Sequence, residues 1–379
     1  MNVKRIAVLG STGSIGESTL RVARHLKESI QVEALAAHSS VEILSAQIRE
    51  FHPKLVALFD QEKAAILRRE FPHLKIVAGI EGLCEVASSD LIDFVVIATS
   101  GLDALLPLVK AIEAKKGVGL ANKESIVAGG EWIVQLARAH QVTIFPIDSE
   151  HSALFQCLEG RELSTVSRIV LTASGGPFRN YSSEQLKSIS VKEALAHPTW
   201  KMGKQVTIDS STLMNKGFEM IEARWLFNLP PEKIEVIIHP QSIVHSFVEF
   251  IDGSLLAQMS EPSMIYPIQY ALTYPTRKKG MFPPFDFCKN SPLEFFPPDE
   301  NRFPALRFAR EALLSGGSLS PFLLGANQSL VSLFLKEKIE WLGMMQKLEK
   351  LLSQHKPYPL QSVQHILNAF LEGQKTAGI

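Results

Sequence analysis

The sequence contains little cysteine and no excess of charge of either sign. Its three cysteines, Cys84, Cys157 and Cys288, stand far apart in a chain of 379 residues, and none belongs to a CxxC pair. This spacing argues against a disulfide scaffold and against a zinc site built from cysteines, and it favours a reducing compartment, the cytoplasm. The 39 Lys and Arg residues balance the 39 Asp and Glu residues, so the chain lacks the broad basic field that nucleic-acid binding requires.

Long apolar runs are missing as well. No uninterrupted apolar stretch approaches the roughly 18 residues of a membrane span, and the first apolar run, residues 6–9, leads into glycines rather than into a cleavage site. We therefore expect no membrane partner and no targeting segment. The 46% hydrophobic and 21% charged residues are typical of a globular protein with about two to three domains. Small molecules are the expected partners.

Short apolar runs alternate with amphipathic stretches in the first part of the chain. Repeats of strand, helix and strand predict an α/β fold with a Rossmann-like, doubly wound parallel sheet. Residues 1–148 are therefore predicted to form one domain. The predicted strands cover residues 6–9, 32–37, 55–58, 94–98, 116–120 and 142–147, and the predicted helices cover 14–26, 41–50 and 102–115.

The remaining residues have a different pattern and predict an α+β domain followed by helices. Prolines cluster in residues 274–304 and predict an extended linker. The last two predicted strands are joined by a turn at Asp252 and Gly253. The predicted strands cover 169–172, 235–239, 245–250 and 254–258, and helical spacing at 305–314, 326–336, 339–352 and 360–371 predicts a C-terminal helical bundle.

A glycine-rich turn follows the first predicted strand and opens the first predicted helix. It has the sequence GSTGSIG over residues 10–16, a GxxGxxG spacing rather than GxGxxG. Glycines let backbone N–H groups approach a pyrophosphate at the positive end of a helix, so the turn predicts a dinucleotide site. An ordinary glycine-rich turn is the alternative.

The end of the second predicted strand indicates which dinucleotide is bound. An enzyme that uses NAD places an acidic residue there for the ribose hydroxyl, whereas this chain has His38, Ser39 and Ser40. Because these side chains do not repel a 2′-phosphate, they favour NADP over NAD. A polar loop without a role in cofactor binding is the alternative.

Carboxylates in two motifs predict a metal site. Asp148 and Glu150 follow the last strand of the predicted parallel sheet, where ligands gather in open α/β folds, and Glu219 lies on a later predicted helix. A set of carboxylate ligands suits Mg²⁺ or Mn²⁺ better than zinc. For Asp148 and Glu150 the alternative is capping of the helix that follows them. Glu222 is expected to be solvated or paired with Arg224.

Two segments rich in small and hydroxyl side chains are candidates for phosphate binding. TASGGP, residues 172–177, follows a predicted strand, and its small residues would let backbone donors wrap a phosphate. DSST, residues 209–212, precedes the helix that carries Glu219. For both segments, plain turn or capping chemistry is the alternative.

A loop and a second strand end complete the set of candidate segments. HPTWKMG, residues 197–203, combines His, Trp and Gly as a lid over a polar ligand would, and packing of Trp200 on the core is the alternative. ANKE, residues 121–124, follows a strand at the ligand-binding edge of the predicted sheet. That position argues against a merely solvated pair of Lys123 and Glu124.

Together these motifs resemble those of the 1-deoxy-D-xylulose-5-phosphate reductoisomerase family of non-mevalonate isoprenoid biosynthesis. GSTGSIG, ANKES, IDSEHSA, TASGGPFR, HPTWKMG, IDSSTLMNKGFEMIEA and IHPQSIVHS occur in the family's order, and the resemblance continues through the proline-rich segment and the helical tail. It implies a homodimer that binds NADPH and one divalent cation, Mg²⁺ or Mn²⁺. The implied domains are an NADPH-binding domain over 1–148, a catalytic domain with metal site and lid over 149–273, the linker over 274–304 and a helical domain over 305–379.

The resemblance also implies a reaction in two steps. A metal chelated by the keto and hydroxyl oxygens of 1-deoxy-D-xylulose 5-phosphate promotes rearrangement of the carbon skeleton. NADPH then reduces the resulting aldehyde to 2-C-methyl-D-erythritol 4-phosphate. The expected substrate is therefore a small phosphorylated sugar.

The motif positions carry the family's site residues over to this chain. The implied metal ligands are Asp148, Glu150 and Glu219, and the catalytic residues are these three with Lys123, His197 and Lys216. The implied substrate contacts are Lys123, Ser149, Glu150, Ser174, His197, Trp200, Ser210, Asn215, Lys216 and Glu219, with Trp200 and Met202 in the lid. The implied cofactor contacts are Thr12, Gly13, Ser14, Ile15, Asn122, Glu124 and Gly203, to which the NADP argument adds Ser39 and Ser40.

The sequence of one loop departs from the family's pattern, and two other classes of protein remain as alternatives. Where the family often has Gly, then Lys, Arg or Ser, then Asn at the adenosine-phosphate loop, this chain has His38, Ser39 and Ser40. A metal-independent dehydrogenase would not need three convergent carboxylates. A non-catalytic NADP-binding sensor would keep the glycine turn, but it would have no use for Asp148, Glu150, Lys216 and Glu219 together.

Overall fold

The structure, a computed structural model, describes residues 3–200 and 202–378 and divides the chain into two compact units. Unit 1 contains the residues up to Ser125 together with Ile133–Ser152 and Ser263–Pro283. Unit 2 contains Ile126–Trp132, Ala153–Pro262 and the residues from Pro284 onward. The four segments expected from the sequence, with boundaries after residues 148, 273 and 304, remain a prediction.

Strands and helices alternate in the first part of the chain, and helices dominate the end. The strands are β1 (Lys4–Leu9), β2 (Ile30–Ala37), β3 (Leu55–Leu58), β4 (Lys75–Ala78), β5 (Phe94–Ile97), β6 (Gly117–Leu120), β7 (Ile144–Pro146), β8 (Val166–Ala173), β9 (Ile234–Ile238), β10 (Val244–Phe250) and β11 (Leu255–Met259). The α-helices are α1 (Ser14–His25), α2 (Val41–Phe51), α3 (Gln61–Glu70), α4 (Gly79–Ser88), α5 (Leu105–Glu113), α6 (Lys123–Ala139), α7 (Ser149–Leu158), α8 (Val191–Ala194), α9 (Lys204–Ser211), α10 (Met214–Leu226), α11 (Ile265–Thr273), α12 (Ala305–Ser315), α13 (Leu319–Leu335), α14 (Trp341–Gln354) and α15 (Val363–Gly378).

The sheet of unit 1 is parallel throughout and has the strand order β4-β3-β2-β1-β5-β6-β7. Residues 6–9 of the central strand β1 are 0% exposed. Strands covered on both faces need continuous apolar runs rather than alternation, which is the pattern that the sequence shows. The predicted doubly wound parallel sheet is confirmed. Its strand order reverses between β1 and β5, where open α/β folds bind their ligands.

Several elements of unit 1 have no counterpart among the sequence predictions. Between β3 and β5 the chain forms α3, β4 and α4. Helix α3 buries only Ala64 and Leu67, so its apolar stripe is too narrow to produce a clear period. Helix α11 lies against α1 and contributes Ile265 and Ile268 to the core of unit 1, although it follows β11 in the chain.

The sheet of unit 2 has the order β11-β10-β8-β9. Strand β10 pairs antiparallel with both β11 and β8, and β8 pairs parallel with β9. The predicted hairpin is confirmed, because Gly253 N donates to Phe250 O at 2.9 Å and the Asp252 carboxylate accepts from Ser254 N at 2.9 Å. This mixed sheet confirms the α+β character expected for the second half of the chain.

The C-terminal helices α12 to α15 lie close to the predicted positions, except at the start of α13 and at the end of α15, which extends to Gly378 rather than residue 371. The sequence predicts a helix from residue 326, whereas α13 begins at Leu319. Its first turns are buried nearly all round, so they show no amphipathic period. Pro321 sits at the third position of the helix, where a missing N–H breaks no intrahelical bond.

Residues 274–304 contain no helix or strand, and all of them are described. An isolated bridge joins Phe296 to Ile238, the last residue of β9. This agrees with the extended segment that the prolines predict. Among the described helices, none combines the length and the apolarity that a bilayer crossing requires.

Candidate active site

The glycine turn of unit 1 is built so that only glycine fits at two of its positions. Gly10 has φ +81°, and a Cβ there would lie 2.6 Å from the carbonyl oxygen of Ala98, just after β5. A Cβ on Gly16 would lie 2.2 Å from the carbonyl oxygen of Gly10. The turn therefore folds tightly against the first turn of α1 at the reversal point of the sheet. Backbone N–H groups at that helix end can approach a phosphate.

A cleft of about 200 Å³ opens at this point of unit 1. The rings of His38 and Phe59 stack at its edge with centroids 5.0 Å apart. The cleft thus joins backbone donors at the helix end to an aromatic surface, as a dinucleotide requires. Its lining residues are Gly10, Thr12, Gly13, Ala37, His38, Phe59, Leu83, Ala98, Thr99, Ser100 and Asp103.

The expected cofactor residues of unit 1 fall into two groups. Thr12 and Gly13 line the cleft, whereas Ser14 and Ile15 form the first turn of α1 and Ser39 and Ser40 lie between β2 and α2. Other residues that line the cleft, such as Phe59 and Thr99, were not predicted as cofactor contacts. The sequence signal that could have identified them is their position directly after parallel strands.

Asn122 and Glu124 act on the cleft through a loop. The Asn122 amide donates to the carbonyl oxygens of Thr99 and Gly101 at 2.9 and 2.8 Å, and Gly101 N donates to Glu124 Oε1 at 3.1 Å. Asn122 is 2% exposed and also caps α6 by accepting from Ser125 N at 3.0 Å. These contacts fix the segment after β5 that forms one wall of the cleft.

Asp148 stands at the centre of a polar cluster after β7. Its Oδ2 lies 3.1 Å from Lys123 Nζ, and its Oδ1 lies 3.2 Å from His151 Nδ1. Ser149 Oγ donates to Glu150 Oε2 at 2.6 Å. The structure therefore brings four predicted residues, Lys123, Asp148, Ser149 and Glu150, to one end of the sheet.

The same cluster also shows the capping contact that the alternative interpretation expects. Glu150 N donates to Asp148 Oδ1 at 3.2 Å at the start of α7. His151 was not among the predicted residues, yet it is 0% exposed and touches Asp148. The sequence signal was its position in the IDSEHSA motif. Capping uses one oxygen of Asp148 and does not by itself exclude a role for the two carboxylates as cation ligands.

Two serines and one histidine meet in unit 2. His197 Nε2 lies 3.1 Å from Ser174 Oγ, in the segment after β8, and 3.1 Å from Ser210 Oγ, on α9. The close approach of the two segments requires a glycine. Gly176 has φ +67°, and a Cβ there would lie 2.7 Å from the carbonyl oxygen of Ser210.

The hydrogen bonds of His197 define its tautomer. Nδ1 accepts from the backbone N–H groups of Thr199 and Trp200 at 3.2 and 3.0 Å, so the proton of the neutral ring sits on Nε2 and points to the serines. Burial lowers the pKa of His197, which favours the neutral ring. Because the serine oxygens accept from Nε2, their hydroxyl protons remain to be donated. The arrangement suits an anion with several acceptor oxygens.

Helix α10 carries three further predicted site residues, Asn215, Lys216 and Glu219. Lys216 Nζ forms an ion pair with Glu219 Oε2, and Asn215 Nδ2 donates to Glu219 Oε1 at 2.6 Å. Lys216 and Glu219 are 4% and 1% exposed. A charge pair removed so fully from water is expensive to bury, which makes a functional reason for it more plausible than a structural one.

One expectation for this helix is wrong. Glu222 was expected to be solvated or paired with Arg224, but it is 2% exposed, and Arg224 lies over the ring of Trp225 at 4.8 Å. Helix α10 is buried on more than one face, so position 222 does not point to solvent. A single charged residue in the sequence gives no sign of this.

The described residues of the predicted lid lie in an irregular segment between α8 and α9. Trp200 is neither fully buried nor fully exposed, which argues against its being a core residue. Gly203 precedes α9, and its carbonyl oxygen accepts from Thr207 N at 3.0 Å. Met202 directly precedes Gly203 in the chain, and Lys201 lies outside the described residues.

Comparisons with known proteins match one family along most of the chain. Family models described as 1-deoxy-D-xylulose 5-phosphate reductoisomerase match residues 6–130, and models of that enzyme's C-terminal domains match 144–227 and 259–375. The reductoisomerase of Protochlamydia amoebophila is 54% identical over 365 residues, covering 96% of this chain and 95% of the relative. That of Chlamydia trachomatis serovar D is 49% identical over 376 residues, covering 99% of both chains.

Solved structures show the same similarity. The Zymomonas mobilis reductoisomerase in complex with NADPH has 37% identity and a TM-score of 0.94, with coverage of 100% of this chain and 98% of that one. A reductoisomerase in complex with NADPH, fosmidomycin and magnesium has 38% identity and a TM-score of 0.93, with coverage of 99% and 97%. The chain belongs to the 1-deoxy-D-xylulose 5-phosphate reductoisomerase family.

Proposed function

We propose that this protein is an NADPH-dependent oxidoreductase that rearranges and reduces 1-deoxy-D-xylulose 5-phosphate to 2-C-methyl-D-erythritol 4-phosphate. Its membership of the family supports the reaction. The observation that carries the substrate class is the placement of the Ser174 and Ser210 hydroxyls at 3.1 Å from one His197 nitrogen. Two outward-pointing donors around a neutral imidazole are suited to a phosphate group.

The cleft of unit 1 fits NADPH. Thr12 and Gly13 lie at the helix end that would face the pyrophosphate, and the stacked His38 and Phe59 form a flat surface for the adenine. Two related reductoisomerases carry NADPH in their solved structures. When bound, NADPH supplies the hydride for the reduction step.

The predicted metal ligands fit a hard divalent cation. Asp148, Glu150 and Glu219 offer carboxylate oxygens, the donors that Mg²⁺ and Mn²⁺ prefer. We propose that these three residues hold the cation, as a magnesium-bound relative suggests for the family. When bound, such a cation polarises the keto and hydroxyl oxygens of the substrate.

The chain's own residues then bind, orient and enclose the substrate. Ser174, Ser210 and Asn215 donate hydrogen bonds to the phosphate, and Lys216 adds a buried positive charge. Lys123, beside Asp148, faces the carbon backbone of the sugar. The loop over residues 197–203 closes on the ligand through Trp200 and keeps water from the aldehyde.

A homodimer is the proposed assembly. Strand β11 lies at the edge of its sheet, and its Leu255 and Leu256 are 56% and 36% exposed, beside Ile251 at 73%. An apolar edge strand with unpaired backbone groups favours pairing with a second copy of the chain. Light scattering after size exclusion should give a dimer, and Leu255→Lys should shift it toward the monomer. A monomeric wild type would contradict the proposal.

The cytoplasm is the proposed compartment. Cys84, Cys157 and Cys288 are all free thiols, with Cys157 buried and Cys288 exposed. Free thiols persist where glutathione and thioredoxin keep them reduced. Fractionation with a tagged chain should place it with cytoplasmic markers, and recovery with extracytoplasmic markers would contradict this placement.

An absorbance assay of NADPH oxidation tests the proposed function. We expect turnover with 1-deoxy-D-xylulose 5-phosphate that depends on added Mn²⁺ or Mg²⁺ and is far weaker with the sugar that lacks the phosphate. Turnover without metal would favour a metal-independent dehydrogenase. Tight NADPH binding without turnover would favour a non-catalytic sensor.

A further inference from the structure

Two C-terminal helices each place a buried polar side chain against helix α9. Asn327 lies on α13 and Trp341 opens α14, more than 100 residues after α9 in the chain. Both are 1% exposed. Their partners are Asp209 and Ser211, the residues on either side of Ser210.

The contact of Asn327 is a short hydrogen bond to a carboxylate. Its Nδ2 donates to Asp209 Oδ1 at 2.7 Å, and Gln205 donates to the other oxygen of Asp209 at 3.0 Å. Asp209 is 5% exposed, so the bond is strengthened by its surroundings of low polarity. It joins α9 to α13 one residue before Ser210.

Trp341 contacts the segment that carries Ser210 and a residue close to Ser174. Its indole Nε1 donates to Ser211 Oγ at 2.9 Å, and its ring meets Phe178 edge to face with centroids 5.6 Å apart. Phe178 is 1% exposed and directly follows residues 172–177, the segment that carries Ser174. One side chain therefore supports the two segments that place hydroxyls beside His197.

The amide of Asn327 serves one buried partner. Its Oδ1 is buried, and no donor from the described part of the chain reaches it, whereas its Nδ2 donates to the buried Asp209 carboxylate. A leucine of similar size would avoid burying the unsatisfied carbonyl, but it would also remove a donor from that carboxylate. The polar contribution of this side chain is therefore its contact with α9.

We propose that Asn327 and Trp341 are positioning residues that hold the Ser174 and Ser210 hydroxyls in the geometry that binds the substrate phosphate. This inference deepens the proposed function and rests on its assignment of the phosphate site. The C-terminal helices thus contribute to substrate affinity without touching the substrate.

Three variants test the proposal. Asn327→Leu removes the donor with little change in volume, and Trp341→Phe removes the indole N–H while keeping a ring against Phe178. Ser329→Ala is the matched control, because it removes a hydrogen bond of α13 to the carbonyl oxygen of Gln374 on α15 instead of one to α9. Circular dichroism melting curves measure the stability of each variant.

The phosphate affinity separates positioning from packing. We expect Asn327→Leu and Trp341→Phe each to raise KM for the phosphorylated sugar about tenfold, the effect of weakening a charge-assisted hydrogen bond, while kcat stays within about twofold. Ser329→Ala should leave KM unchanged even where it lowers the melting temperature. An unchanged KM in both test variants would overturn the proposal, whatever happens to their stability.

A swap of the two partners provides the rescue. Asn327→Asp alone sets two carboxylates together and should weaken binding further, whereas Asn327→Asp with Asp209→Asn restores a donor facing an acceptor and should recover affinity. Failure of the pair to recover it would mean that the contact acts only through packing.

Calorimetric measurement of inorganic phosphate binding distinguishes a failure of the proposed function from a failure of the positioning role. Wild-type protein that binds phosphate but does not oxidise NADPH would refute the proposed function and still allow the positioning test on phosphate affinity. Wild-type turnover with variants that bind phosphate normally would refute the positioning role alone.

Discussion

Ser210 Oγ lies 3.1 Å from His197 Nε2, and this contact joins helix α9 to the start of the loop that we propose as a lid. The same histidine accepts from the backbone of Trp200 through Nδ1 at 3.0 Å. One neutral ring therefore joins the serine that we propose as an anion ligand to the backbone of the loop. Protonation of that ring would break the Nδ1 contacts because both ring nitrogens would then be donors.

The first prediction concerns pH. Burial lowers the pKa of His197, so in the folded protein we expect its titration midpoint below the ordinary value of about 6.5. The folded state then binds this proton less readily than the unfolded chain. The stability that the neutral ring contributes is present above about pH 6.5 and is lost as the pH falls toward the folded pKa.

Histidine NMR measures this midpoint, with His197→Gln assigning the signal. His239 and His355 are also buried with lowered pKa values, so the variant is needed to isolate one ring in melting curves at several pH values. A midpoint above that of a free histidine would contradict the neutral tautomer.

The second prediction concerns Glu219. Glu219→Gln should reduce Mn²⁺ affinity about tenfold or more, because it removes a charged ligand. It should also destabilise the protein by about 3 kcal/mol, since it removes the charge with which the buried Lys216 pairs. Calorimetric titration with Mn²⁺ and urea unfolding measure the two effects.

Glu222→Gln is the control for this prediction, because Glu222 is buried on the same helix. Its Mn²⁺ affinity should match that of the wild type. The opposite result, with Glu222→Gln impaired and Glu219→Gln normal, would move the metal ligand one helical turn along α10.

Local sequence patterns were sufficient where structure depends on neighbouring residues. The strand at residues 55–58 and the turn at Asp252 and Gly253 appear where apolar runs and turn residues predict them. A parallel sheet buried on both faces leaves a run of apolar residues that can be recognised without any partner strand. The same reasoning located the glycine turn, because its context is the strand before it and the helix after it.

Relationships between distant segments could not be predicted in this way. Nothing near Asn327 or Trp341 in the sequence indicates that both contact α9, because the contacts depend on how the three helices α9, α13 and α14 pack. The expectation for Glu222 was wrong for the same reason, since burial of a helix on several faces is a tertiary property. The two serines and His197 stay predictions as site residues, and their meeting at 3.1 Å is visible only in the fold.

The third prediction concerns the choice of cofactor. We expect NADPH to be preferred over NADH, because the loop after β2 carries His38, Ser39 and Ser40 and no acid that would repel a 2′-phosphate. Ser39→Asp should lower kcat/KM for NADPH relative to NADH by about tenfold or more, through repulsion between like charges. Ser39→Asn, which has the same size without the charge, should change the ratio much less. Equal changes in the two variants would show that Ser39 acts through its size or not at all.

The last prediction concerns Trp200. Its half-buried position in the loop between α8 and α9 and the hydrogen bond from its N–H to His197 place it where closure of the loop would cover the substrate. Trp200→Ala should keep the melting temperature and Mn²⁺ affinity of the wild type, yet lose about a hundredfold in kcat/KM through poorer positioning of the substrate. Trp225→Ala is the matched control, because Trp225 is also half-buried but packs on Gly130 and Arg224 within α6 and α10. It should melt earlier and keep its kinetics, since a packing residue contributes to the fold and not to closure. If Trp200→Ala behaves like this control, then Trp200 is a packing residue and the loop does not close through it.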